Sequence, residues 1–415
     1  MRRRVLILLE NEPYPYDRRV SQEALALVEA GHAVTVVSPN SPKAPELETV
    51  VDGVRVLRFP ELPEGRGALG YAREYLLAAV RMRRVLRRLR KERFDAVIVC
   101  NPPDFLIQLA RPFARRGAGL VFDLHDPSPE LFEAIFHRRG LIHRVLVALE
   151  RSAERTADVV MTVNEPCAEL VRGRGGVPAD RVFVLVTCPD PRRFYPVEPR
   201  PELRRGKEHL VLWLGRMSRK ENLPLLIDAA EELVHNQGRD DLAFAIVGYG
   251  NVREELEAEI ERRGLAEAVF LPGAADGDLL RGWLQTADVC VSLDDHSPMN
   301  DRSLMIKVME YMAMGKAVVQ FPLREMQRVC GSATLYAASG DARDLAEKIR
   351  ELIDDPAYRR QLGEEARALV ESDLNWPAQV PTLLAALERA ISLRGGKPPP
   401  TEQKQAPKRE AVLKR

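Results

Sequence analysis

A single carboxylate stands on an apolar helical stretch late in the chain. In Ser297–Phe321, SPMNDRSLMIKVMEYMAMGKAVVQF, a polar cluster runs into a methionine-rich segment whose only acid is Glu310. Ser303 is the expected N-cap. Leu304, Val308 and Met312 share one helical face, and Gly315 ends the run. The amides from Leu304 through Met305 and Ile306 to Lys307 are then the unpaired donors of a first turn, where a phosphate binds well. Glu310, one to two turns further on, can reach hydroxyls attached to such a phosphate, and a carboxylate accepts both hydrogen bonds of a ribose diol. Asn300, Asp301 and Arg302 occupy the polar loop just before.

Other candidates stand where strands end. In VGYG, Gly248 and Gly250 follow a strand and precede a helix, the place for close backbone approach to a nucleotide. His125, in FDLHDPSPELFE, closes a strand between Asp123 and Asp126. NEPYPYDRRV (Asn11–Val20) is the first loop between strand and helix, offering Tyr14, Tyr16, Asp17 and Arg18 to a donor or acceptor. CNPPDF (Cys100–Phe105) is another, with Asn101 and Asp104 as acceptor contacts.

These positions require a scaffold of parallel strands. Short β-rich runs alternate with amphipathic helices along the chain, the pattern of βαβ units. Strands are expected at Val5–Leu9, Ala33–Ser38, Val54–Phe59, Asp95–Cys100, Gly119–Leu124, Val159–Val163 and Val182–Val186. The alternation then stops: Thr187–Gly206 holds five prolines and no apolar period, as a linker does. It restarts with strands at Leu210–Gly215, Ala243–Gly248, Val269–Gly273, Val289–Leu293 and Ala317–Phe321. The fold class is α/β, with two tandem doubly wound Rossmann-like domains whose ligands would bind in the facing cleft. The expected boundaries are 1–188 for the first domain, 189–206 for the linker and 207–375 for the second. A helix over 376–393 crosses back to the first domain, and 394–415 is a disordered basic tail.

Composition narrows the class. With 45% hydrophobic and 30% charged residues and a net charge of +1, the chain is globular and carries no global field for polyanions. Its five cysteines form no C-x-x-C pair, which points to a reducing compartment, and the five-residue apolar run at the N-terminus is a strand rather than a leader. A cytoplasmic protein is expected. Arg81–Phe94, RMRRVLRRLRKERF, carries eight basic residues and one acidic around the apolar stripe Met82, Val85, Leu86 and Leu89. Such a helix packs by its stripe and can rest its basic face on an anionic membrane surface, at the inner face of the membrane. Without interleaved aromatics it offers no nucleic-acid site.

KVMEYMAMGKAVVQF is similar to the LEAMA-G-PVV signature of retaining glycosyltransferases of family 4, with the GT-B fold. Further segments match in the family's order: RVSQEALALVEAGHAVTVVS, LGRMSRKENLPLLIDAA, AIVGYGNVREELE and VFLPG…LLRGWLQTADVCVSL. The resemblance spans residues 4 to 390. It implies retaining, metal-independent transfer of a sugar from a UDP-, GDP- or ADP-linked donor to a saccharide or lipid-linked acceptor, with no further cofactor. It assigns Glu310 to the ribose, Arg216 and Lys220 to the diphosphate and His125 to the donor sugar. The chain departs from the family pattern twice. Arg302 stands where a second acid usually touches the sugar, with Asp301 beside it, and Glu221 stands where a lysine is usual. These departures keep a degenerate scaffold open as an alternative; a sugar-nucleotide epimerase is another.

Overall fold

The computed structural model describes residues 2–61 and 67–395, with the side chains of residues 68 and 69 left aside. The expected tail from 394 therefore lies almost wholly outside the described residues. The strands form two sheets. The first contains β1 (Arg4–Leu8), β2 (Ala33–Pro39), β3 (Glu48–Val51), β4 (Val54–Phe59), β5 (Ala96–Cys100), β6 (Gly119–Leu124), β7 (Val159–Thr162) and β8 (Val182–Val184). The second contains β9 (His209–Met217), β10 (Leu242–Gly250), β11 (Val269–Gly273), β12 (Val289–Ser292), β13 (Ala317–Gln320) and β14 (Leu335–Tyr336).

The first sheet runs in the order β3-β4-β2-β1-β5-β6-β7-β8, with β3 antiparallel to β4 and the series from β4 to β6 parallel. The second runs β11-β10-β9-β12-β13-β14 and is parallel throughout. In each, the strand order reverses beside a central strand, β1 or β9, and ligands of open parallel sheets bind beyond the carboxyl ends there.

The sequence explains the layering. Val5, Leu6, Ile7 and Leu8 of β1 are all fully buried, as a continuous apolar run must be when helices cover both faces of a sheet. In the second sheet alternate residues separate into two cores. Val211 and Trp213 of β9 join Phe244 and Ile246 of β10 on one face, while Leu210, Leu212 and Leu214 join Ala243, Ala245 and Val247 on the other. Two strands escape the sequence pattern, β3 and β14. Both are short, incompletely buried edges without an apolar run.

By contact density the chain falls into two compact units. One comprises residues 1–123, 155–160 and the segment from Leu384; the other comprises 124–154 and 161–383. Within the first, the second half of the C-terminal helix Trp376–Leu393 lies against β6, where Gly119 leaves room for the main chain of Ala390. Glu388 grips Arg3 through two hydrogen bonds of 2.7 and 3.0 Å.

Candidate active site

The helix carrying Glu310 begins later than the sequence implies, at Ile306, and runs to Ala313. Ser303 is not its cap: Asn300–Arg302 forms a 3₁₀ turn, and the Ser303 hydroxyl donates back to the Met299 carbonyl at 2.8 Å. Met305 occupies the cap position without a side-chain bond, so the amides of Ile306 and Lys307 open the helix, while Leu304 precedes it. Met305 itself donates its amide to Met326 Sδ at 3.2 Å. Tyr311 pins the buried side of the helix by accepting the Leu214 amide of β9 at 2.8 Å. Glu310, only 5% exposed, is held by this packing one turn into the helix.

Lys307, beside it, carries the main electrostatic feature. Its Nζ is ion-paired with Glu221 and lies 3.2 Å from Asp294 Oδ2, 5.2 Å above the Trp213 ring. Ser292 donates to the same Asp294 oxygen at 2.6 Å. Burial works to strip the Lys307 proton, but Asp294 and Glu221 outweigh it and hold the ammonium above its usual pKa. Burial likewise raises Glu221, with Lys307 opposing. Glu221 is therefore no empty substitute for a lysine: it faces a lysine supplied by the next-but-two strand's helix. Lys220 precedes it in the turn Arg219–Glu221 and is exposed, as is Arg216 near the end of β9.

The loop before the helix is tied to itself. Asp301 Oδ1 lies 2.7 Å from His296 Nδ1, Asn300 donates to the Asp295 carbonyl at 2.8 Å, and Arg302 donates to the Pro298 carbonyl at 2.6 Å. Asn164 donates to the Arg302 carbonyl. Asp301 thus has a histidine partner, His296, that sequence spacing did not single out. His125 is half-buried just after β6, ahead of the helix Ser128–Phe136.

Several residues expected at the site also have structural roles. Gly248 and Gly250 belong to β10 itself, and a Cβ on either would collide with a β9 carbonyl, that of Gly215 or Met217. Close strand approach explains both glycines. Tyr14 is fully buried, its amide donating to Ser38 Oγ and its carbonyl accepting from Arg58, so its ring is closed to a ligand. Asp17 caps the helix Arg18–Glu29 by accepting the Val20 amide at 2.8 Å; Arg18 opens that helix half-buried. Tyr16 is half exposed, its hydroxyl on the Lys43 carbonyl. Asn101 donates to Asp104 at 2.8 Å, and both are buried. Asp123 is clasped by Arg19, whose other carboxylate partner is Glu23, in a buried cluster that sequence gave no means of pairing. Glu208, His209 and Asp241 could converge on a metal, but they lie at the opposite, amino end of β9, where Asp241 is already paired with Arg239.

Residues 16–187 match the family model for a glycosyl transferase 4-like domain, and residues 208–355 that for glycosyl transferases group 1. An alpha-D-kanosaminyltransferase of Streptomyces kanamyceticus is 27% identical over 87% of this chain and 95% of its own. A 2-deoxystreptamine glucosyltransferase of the same organism is 26% identical over 80% and 88%. Among solved structures, sucrose-phosphate synthase from Thermosynechococcus elongatus superposes with a TM-score of 0.73 at 19% identity, covering 91% of this chain and 96% of its own. Anabaena HepE with UDP-glucose gives 0.69 at 18% identity, over 92% and 98%. The chain belongs to the group 1 glycosyltransferases, with the GT-B fold.

Proposed function

We propose that the protein is a retaining, metal-independent glycosyltransferase that moves a hexosyl group from a nucleoside-diphosphate sugar to an acceptor hydroxyl. The observation that carries the reading is Glu310, a buried carboxylate one turn inside a helix whose opening amides can take a phosphate. In this reading Glu310 accepts the ribose hydroxyls. Arg216, Lys220 and the amides of Ile306 and Lys307 meet the charge that grows on the leaving diphosphate. His125 and Asp301 face the sugar. UDP is the favoured nucleotide, since HepE was solved with UDP-glucose.

Domains 1–188 and 207–375, joined by 189–206, would take acceptor and donor respectively. The acceptor is a saccharide, a lipid-linked saccharide or a small cyclitol; two relatives bear 2-deoxystreptamine in their names, which makes it a good first probe. Arg216 and Lys220, both exposed at and just after the end of β9, keep two cations for the diphosphate and favour an active enzyme over a degenerate scaffold.

Thermal unfolding with UDP, GDP or ADP tests the site. Ligand at about 100 times its dissociation constant adds roughly 2.7 kcal/mol of stability. One nucleotide should raise the midpoint of the wild type, and Glu310→Ala should weaken that binding about 10- to 100-fold through the lost charged hydrogen bonds. A wild type indifferent to all three nucleotides would return the protein to the scaffold reading.

A further inference from the structure

A second buried carboxylate lies in the first unit, and the site described above makes no use of it. Glu10 follows β1 by two residues, at the carboxyl end of the strand where the order of the sheet reverses. It is 6% exposed, yet among the described residues it has neither an ion pair nor a hydrogen bond. The charge that acts on it is another acid, Glu74, on the helix Gly67–Leu89. Tyr75, the next residue of that helix, is acted on by Glu10, Glu74, Tyr71 and Asp104. The rings of Tyr71 and Tyr75 stand side by side, with centroids 6.3 Å apart.

Burying an ionised carboxylate with no cation is costly, so a carboxyl in this position takes a proton until a cation reaches it. Here burial, and then Glu74, push the Glu10 carboxyl up to about 8, so the uncomplexed protein keeps it largely protonated at neutral pH. A carboxyl and a paired aromatic wall are the two groups that hold an ammonium, one by charge and the other by the electron-rich ring faces. A neutral hydroxyl can hydrogen-bond to the carboxyl but gains neither the ion pair nor the attraction of a cation to the rings.

We propose that Glu10, with Glu74 and the Tyr71–Tyr75 pair, is the seat of an ammonium group carried by the acceptor. This rests on the glycosyltransferase reading, in which the first domain takes the acceptor. On binding, the Glu10 carboxyl would give its proton to solvent and face the ammonium as a carboxylate. Among the described residues Glu74 acts on Glu10 directly, Glu10 acts on the Tyr75 phenol, and Tyr71 and Asp104 act on Tyr75 in turn.

Calorimetric titration of the UDP-saturated protein with 2-deoxystreptamine and with its di-N-acetyl derivative tests the seat. The free amine should bind about 10- to 100-fold more tightly than the acetylated form. Its heat should change with the ionisation enthalpy of the buffer as the proton leaves. In Glu10→Gln that preference should shrink to within about three-fold and the proton release should vanish, as a neutral amide cannot replace a charge. Glu74→Gln should weaken the preference in part and serves should Glu10→Gln fail to fold. Equal binding of amine and amide, no binding of either, or a preference unchanged in Glu10→Gln would overturn the proposal. Separate titration with UDP alone distinguishes the two failures. If UDP does not bind, the glycosyltransferase reading falls; if it binds and the amine preference is missing, only the ammonium seat falls.

Discussion

Lys307 is a residue whose removal should cost the second unit heavily. It is tied to both Glu221 and Asp294, and without it two carboxylates face each other beside the Trp213 ring. Removing one partner of a buried ion pair typically costs about 3–5 kcal/mol, because the uncompensated charge stays buried. Lys307→Met should lower stability by that order in urea denaturation, and adding Glu221→Gln should restore part of it. A single variant as stable as wild type would mean that the pair is a surface contact. Glu10 has the opposite sign. Its carboxyl is raised in the folded state from 4.5 to about 8, so the native protein holds a proton there that the unfolded chain has lost. Stability at this position therefore falls as pH rises from about 4.5 to about 8 and is flat above. Glu10→Gln should gain on wild type across that window, by at most about 5 kcal/mol. Parallel stability curves for the two proteins from pH 5 to 8 would contradict the shift.

Among the elements, the helix Gly67–Leu89 carries two kinds of surface. Met82, Val85, Leu86 and Leu89 are buried, so the stripe read from the sequence is packing. The helix starts fourteen residues before Arg81 and ends at Leu89, so Arg90–Phe94 lie beyond it. The surplus that the basic run concealed is apolar: Leu76 and Val80 are half or more exposed, a turn apart and in line with the exposed Arg84 and Arg87. An anionic membrane would take both kinds of side chain. Co-sedimentation with vesicles containing phosphatidylserine should be reduced several-fold by Leu76→Ser with Val80→Ser, and further by added salt. Retention of neither protein on the vesicles would remove the membrane from the account. No described helix is long and apolar enough to cross a bilayer. The strands were readable because parallel strands buried on both faces write continuous apolar runs, as in Val5–Leu8. What short-range pattern could not convey were partners distant in the chain. Arg19 meets Asp123 across 104 positions, and Lys307 meets Glu221 across 86. Gly248 and Gly250 are ambiguous in sequence for a related reason: glycine records a close approach, and here the β9 carbonyls of Gly215 and Met217 make one that the sequence does not name.

At the scale of the whole molecule, the chain's last described helix completes the core of its first unit. Arg3 and Glu388 stand 385 positions apart and meet in a two-pronged ion pair with little solvent access on the arginine side. Around them Ala386, Leu387, Ala390 and Ile391 are buried, and a Cβ at Gly119 would fall 2.5 Å from the Ala390 main chain. The contact is therefore shaped on both sides: glycine on the strand, small and apolar residues on the helix. Burying Leu387 and Ile391 is worth roughly 1.5–3 kcal/mol each, an upper estimate against a compact unfolded chain. A chain ending at Leu383 should therefore lose roughly 3–6 kcal/mol from the first unit, and it leaves Arg3 buried without its carboxylate. Gly119→Ala should weaken the same contact from the opposite side while keeping the full chain. Hydrogen exchange resolves the effect by position: amides of β1, β5 and β6 should lose protection in both variants. If the truncated chain kept those amides protected as in wild type, the helix would be an appendage of the first unit and not part of its core.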